Sequence, residues 1–176
     1  CSILAQDGRV VASIAHRRVR EYPVTGGPSS CCRVADETPL LRAVCALVRE
    51  TGFSGVAMFE FKCGQDGAPR LLECNPRVWG TYPLTRAAGT NFSYLWCCAA
   101  LGEPLPDYIR PRPVKMTYQP ADLAAMLGYL LRGRIARALG VLGSLLDPRV
   151  KNGLFEWRDA APGLRYFAGL FRRARR

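Results

Sequence analysis

A single histidine, His16, is all that the 176 residues offer to imidazole chemistry, and no Cys-His signature surrounds it. This argues against a catalytic thiol. The eight cysteines, Cys1, Cys31, Cys32, Cys45, Cys63, Cys74, Cys97 and Cys98, contain no C-x-x-C pair, which removes the usual zinc spacings. Most stand in apolar stretches and read as small buried hydrophobes of a reducing, cytoplasmic compartment. No run approaches the ~18 uninterrupted apolar residues of a membrane span, and the apolar stretch Ala121 to Leu131 is too short. Internal repeats and low-complexity tracts are also missing.

Acidic residues are scarce as well, at 14 against 25 Lys+Arg, for a formal net charge of +11. Most of the excess lies in the tail, where residues 122–176 carry a net +7 and residues 1–121 a net +4. That tail lacks the interleaved aromatic and basic residues that stack bases, and no helix-turn-helix or RNA-binding signature is present. Nucleic-acid binding is therefore not expected. With 49% hydrophobic and 22% charged residues, the chain reads as globular and long enough to bury a core.

The element pattern is mixed. Ser2 to Gln6 and Arg9 to Ala15 flank Asp7-Gly8 and read as a hairpin apolar on both faces. His16 to Ser30 reads as a loop by its Pro, Gly and Ser content, and its Arg17, Arg18 and Arg20 either reach an anionic ligand or are simply solvated. Thr38 to Thr51 is a helix, with Thr38 as N-cap, Pro39 at the first position and Gly52 closing it. Two short helices follow Trp79-Gly80, the second running from an Asn91 cap to Gly102. Glu103 to Pro113 is a proline-rich connector and Val114 to Tyr118 an edge strand. Helices are expected over Ala121 to Leu131, Ile135 to Leu146 and Pro162 to Arg176. The last carries Leu164, Phe167, Leu170 and Phe171 among arginines that include Arg175 and Arg176. Its apolar stripe is expected to dock on its own domain rather than lie on an anionic membrane.

Most telling is FEFKCGQDGAPRLLECNPR, from Phe59 to Arg77. Asp66-Gly67 suits a two-residue type I′ turn, which would pair Gln65 with Ala68, Lys62 with Leu71, Glu60 with Glu73 and Met58 with Asn75. Glu60, Glu73, Asn75 and Arg77 would then share one sheet face, with Phe59, Phe61, Leu72 and Cys74 on the other. Opposed carboxylates repel, so a cation must compensate. Mg²⁺, which takes oxygen ligands, is one solution. Neutralisation by Lys62, Arg70 or Arg77 on a solvated face is another, and a loop of three to five residues around Gly64 to Pro69 would shift the register and separate the pair.

EFK, a short turn, LLECNPRVWGT and the following AAG resemble the metal-binding end of the ATP-grasp superfamily, in its branch of carboxylate-amine ligases, carbamoyl-phosphate synthases and biotin carboxylases. DGRVVASIAHRRVREYPVTGGPSS is similar to the strand and basic loop that precede this end. The likeness covers roughly residues 1–105 and implies an α+β fold: the C-terminal lobe of an ATP-grasp domain, a mainly antiparallel sheet flanked by helices, followed over 106–176 by a helical basic extension. It implies a cytoplasmic, ATP- and Mg²⁺- (or Mn²⁺-) dependent ligase that makes an acyl phosphate from a small carboxylate and passes it to an amine or similar nucleophile. A scaffold module that has kept the fold without catalysis is the alternative, or a basic domain recruited to membrane or nucleic acid by its last helix. The resemblance casts Glu60, Glu73 and Asn75 as metal ligands and Arg77 as the transition-state cation. It casts Arg20, and more weakly His16, as contacts to phosphate or substrate. The glycine-rich lobe of such enzymes precedes the matched part, so the chain is expected to be the C-terminal piece of a longer protein, with the missing N-terminal lobe as its partner.

Overall fold

The computed structural model describes residues 1–36, 38–106, 109–156 and 159–173, with side chains up to residue 169 in the last helix; Arg175 and Arg176 lie outside the described residues, as do the side chains of Leu170 and Phe171. Its strands are β1 (Ser2–Gln6), β2 (Arg9–Glu21), β3 (Ser29–Ala35), β4 (Gly55–Cys63), β5 (Pro69–Asn75), β6 (Lys115–Thr117) and β7 (Lys151–Asn152). Its helices are α1 (Thr38–Thr51), α2 (Tyr82–Ala87), α3 (Phe92–Leu101), α4 (Ala121–Leu130), α5 (Ile135–Leu146) and α6 (Ala161–Arg173). The strand order is β5-β4-β1-β2-β3-β6-β7, mostly antiparallel, with β6 and β7 parallel. This is the α+β, helix-flanked sheet of the ATP-grasp-type lobe that the sequence implied. The chain divides into two compact units, Cys1–Arg18 with Cys32–Val114, and Val19–Cys31 with Lys115–Arg176. Residues 19–31 thus fall in the same unit as the C-terminal helices.

In the first unit the sheet is apolar on both faces, as the alternation in β1 and β4 requires. Ile3, Ala5, Ala57 and Phe59 pack on one side against Val44 and Val48 of α1. Leu4, Ile14 and Val56 pack on the other against Trp79, Phe92 and Leu95. The Asp7-Gly8 turn holds this sheet in register, pairing Gln6 with Arg9, and both turn residues have positive φ, 49° and 77°. This is the two-residue type I′ geometry whose twist matches the flanking strands. Helix α1 starts one step earlier than its sequence suggests: Asp36, not Thr38, supplies the capping oxygen, which accepts from the Thr38 N–H at 3.0 Å. That bond holds the Asp36 carboxyl below its usual range. Helix α3 follows the sequence closely, with the Asn91 side chain accepting from Tyr94 N and Gly102 left-handed at the C-cap.

Three expectations need correction. The segment His16 to Ser30 is mostly strand: β2 runs to Glu21 and β3 begins at Ser29, so only 22–28 form the turn. Strand β6 is not an edge, because β7 pairs beyond it. The cysteines are all free thiols, but only Cys1, Cys31, Cys32 and Cys98 are buried.

In the second unit, Arg20 explains why the basic stretch is strand and not loop. Its guanidinium is buried and forks onto Asp122, with Nε to Oδ1 at 2.8 Å and Nη2 to Oδ2 at 2.7 Å. Nη1 donates to the Gly140 carbonyl at 3.1 Å and Nη2 also to Ser144 Oγ at 3.0 Å. Ser30 Oγ donates to Asp122 as well, at 3.0 Å. Burial works against the Arg20 charge, but the hydrogen bonds and field of Asp122 more than offset it, and its pKa is raised. Desolvation pushes the neighbouring Cys31 thiol up, so it stays protonated. The donors that were expected to meet phosphate are thus committed to this network. Arg20→Met should leave the Asp122 carboxylate buried without its partner and cost about 3–5 kcal/mol in urea unfolding, while Arg20→Met with Asp122→Leu should recover much of the loss.

Candidate metal and nucleotide site

The β4–β5 hairpin places the proposed ligands. Near its tip the pairing is Lys62 with Arg70 and Cys63 with Pro69, one residue out of step with a two-residue turn. The cause is a longer loop: Gly64 N donates to Ala68 O at 3.1 Å and Gly67 N to Gly64 O at 3.1 Å. Asp66 does not take the left-handed conformation. Its side chain instead accepts from Ala68 N at 3.1 Å and pairs with Arg70 at 2.9 Å. A longer loop of this kind would have carried Glu73 to the wrong face of the sheet. A β-bulge between Glu60 and Phe61 prevents it: Phe61 pairs with Leu71 and Glu60 with Glu73, leaving Leu72 as the extra residue. Beyond the bulge the register is the expected one, with Met58 opposite Asn75. Leu72, expected on the same face as Phe59 and Phe61, is 62% exposed, as a bulged residue released from the alternation can be.

Glu60 therefore stands directly opposite Glu73, on the face that Leu4 and Val56 cover with Trp79 further along. The compensating cation is none of those weighed from the sequence. Arg70 is taken by Asp66, Lys62 lies opposite Arg70, and Arg77 donates to the Val78 carbonyl at 3.1 Å and to Asn75 Oδ1 at 3.5 Å. Arg18, two residues along β2 from His16, is the one that approaches, with Nη2 at 3.6 Å from Glu60 Oε2. This contact is exposed and weak. Glu73 has no ion pair among the described residues; its Oε1 accepts only from Asn75 Nδ2 at 2.8 Å. The signal for Arg18 was its parity with His16, which could be used only once β2 was known to continue.

Two glutamates and an amide oxygen on one sheet face are hard oxygen donors that fit Mg²⁺ or Mn²⁺. No group of three His, Cys, Asp or Glu side chains gathers among the described residues. The donor set is therefore of the type that holds a metal together with phosphate and water oxygens rather than in an all-protein cage.

His16 faces Thr81, the residue that precedes α2. Its Nε2 lies 3.0 Å from Thr81 Oγ1, and its Nδ1 is buried without a protein partner, as is Trp79 Nε1. Burial, with smaller contributions from the Cys1 amino group and Arg18, pushes its pKa down to about 4. The ring is neutral at pH 7. Because the folded value is depressed below the ordinary value of 6.5, protons bind the unfolded chain more readily. Stability is then full above pH 6.5 and is lost as pH falls toward 4. An NMR titration should find a neutral imidazole until about pH 4, and His16→Gln should remove this component of the acid sensitivity.

Residues 1–122 match the family model described as ATP-grasp in the biosynthetic pathway with Ter operon. No curated protein matches the chain.

Proposed function

The chain belongs to this ATP-grasp family, which carries ATP-dependent ligase-type function in a biosynthetic pathway, and from that membership we propose that the β4–β5 hairpin is the metal-binding side of its nucleotide site. The observation that carries the reading is the pairing of Glu60 with Glu73, restored by the bulge, with Asn75 on the same face. In this reading the reaction activates a small carboxylate as an acyl phosphate that an amine or similar nucleophile captures.

Glu60, Glu73 and Asn75 would hold Mg²⁺, the glutamates through their carboxylate oxygens and Asn75 through its amide oxygen. When bound, the metal supplies charge neutralisation on the phosphate oxygens. The chain's own groups do the rest. The Asn75 Nδ2 bond at 2.8 Å fixes which Glu73 oxygen is turned to Asn75 and which is free. Arg77 follows Pro76 and reaches Asn75 with one end of its fork, so its guanidinium stands at the ligand set, where it can hold a phosphate or acyl-phosphate oxygen in the transition state. Arg18 approaches Glu60 and is a second cation within reach of the same face. Arg20 has no part, since Asp122, Gly140 and Ser144 take its donors. His16, neutral and bonded to Thr81, ties the middle of β2 to the start of α2 rather than meeting phosphate.

The test uses the full-length protein that contains this chain. Glu73→Ala and Asn75→Ala should each lower Mg²⁺-dependent ADP release by about 10²-fold or more while the thermal unfolding midpoint stays close to wild type. Undiminished turnover would remove the metal assignment. Arg77→Lys retains the charge and loses the fork, so kcat should fall by at least tenfold with nucleotide binding nearly unchanged. A matching rise in the nucleotide Kd with normal kcat would instead make Arg77 a ground-state contact.

A further inference from the structure

The second unit carries an apolar surface that the proposed ligase site does not use. Helices α4 and α5 bury Ala125, Tyr129, Ala138 and Val141 against each other and against Val24 and Met126. Their remaining apolar side chains face outward. Leu127, Leu131, Leu139 and Leu146 are between 58% and 78% exposed, and Leu123, Leu130, Ile135, Leu142 and Leu145 are exposed too. So many large apolar side chains on one helical pair exceed the scattered exposure normal for a soluble surface.

Two features of this surface say what would cover it. The first is a crevice of about 200 Å³ between the helices, lined only by apolar side chains: Met126, Leu130, Ile135, Ala138, Leu139 and Leu142. Such a slot takes a hydrocarbon chain and offers nothing to a polar group. The second is charge. From residue 121 to 146 the charged residues are Asp122, Arg132, Arg134 and Arg137. Asp122 is buried on Arg20, so every exposed charge in this stretch is an arginine. Arg132 and Arg134 lie in the α4–α5 connection and Arg137 in the first turn of α5, beside the crevice walls Leu130, Ile135 and Ala138 in sequence. Arg132 Nη1 turns back to the Gly128 carbonyl at 3.2 Å, and the Arg137 guanidinium lies 5.8 Å over the Tyr129 ring. These stems lie along the helices with cationic heads at the surface, as snorkelling side chains do at a lipid boundary.

We propose that the α4–α5 pair is a docking surface for an anionic phospholipid membrane, with leucines entering the acyl region, the crevice accepting a chain end and Arg132, Arg134 and Arg137 meeting phosphate headgroups. A second copy of the chain fits less well, because it would bring the same cationic rim and no exposed carboxylate from these helices to meet it. The described helices include none long and apolar enough to cross a membrane, so contact is peripheral. The proposal stands independently of the ligase site.

The experiment is flotation of the full-length protein with phosphatidylcholine vesicles, with and without phosphatidylserine at about one lipid in four. Binding should require the anionic lipid and weaken as salt shortens the Debye length. Each of Arg132→Gln, Arg134→Gln and Arg137→Gln should weaken it about fivefold. Leu139→Ser with Leu142→Ser should abolish it, and Leu127→Ser, on a different helix, gives a second probe should the double variant fail to fold. Absence of binding at low salt, equal binding to neutral vesicles, or variants that float like wild type would each overturn the proposal. So would a leucine variant whose effect is to dissolve a dimer, or to release an acidic protein, while flotation stays unchanged.

Discussion

Two carboxylates facing each other across paired strands are a constraint that the surrounding chain must answer, because at a separation of roughly 5 Å they repel unless a cation stands between or beside them. Glu60 and Glu73 are in that position, and the nearby structure follows from keeping them there. The bulge at Leu72 exists where the pairing would otherwise slip, Asn75 spends its amide N–H₂ on Glu73, and Arg18 leans across from β2 toward Glu60. None of these contacts neutralises the pair fully. On the reading proposed above, the ligand that occupies this surface, beside the cluster of Trp79 and α3, is the one that brings the missing positive charge.

The hairpin was legible in the sequence because its information is local: alternation, a turn dipeptide and acid spacing. What local pattern could not give was turn type. Asp7-Gly8 and Asp66-Gly67 look alike as dipeptides, yet only Asp7 adopts positive φ. Asp66 has Arg70 within reach and uses its carboxylate to pin the loop, so the chain takes a longer path. The correct Glu60–Glu73 pairing was reached from a turn that the structure replaces, and the bulge reconciles the two.

Strand β3 and the end of β2 were illegible for a different reason. Pro, Gly and Ser with clustered arginines read as loop, and here Ser30 and Arg20 are buried beside Cys31 and Cys32. What makes that possible is Asp122, 102 residues away from Arg20, sitting alone in an otherwise apolar helix. A lone acid in such a helix is a signal that a buried partner must be found elsewhere, since an unpaired buried carboxylate is too costly to keep. Arg18, two residues from Arg20 on β2, belongs to the first unit and approaches Glu60 there.

The bulge at Leu72 also has a meaning for how such chains diverge. Loop length at 64–68 and the presence of the extra residue in β5 are not independent characters: at the same sequence spacing between Glu60 and Glu73, a chain whose tip loop is one residue shorter would have to lose the bulge to keep its two glutamates on one face. A change of loop length at fixed spacing is therefore tied to an event several residues away. Relatives aligned on the Glu-x-Asn-Pro-Arg segment should be compared from the bulge outward, because gaps placed by tip length alone would misalign the acidic residue that matters.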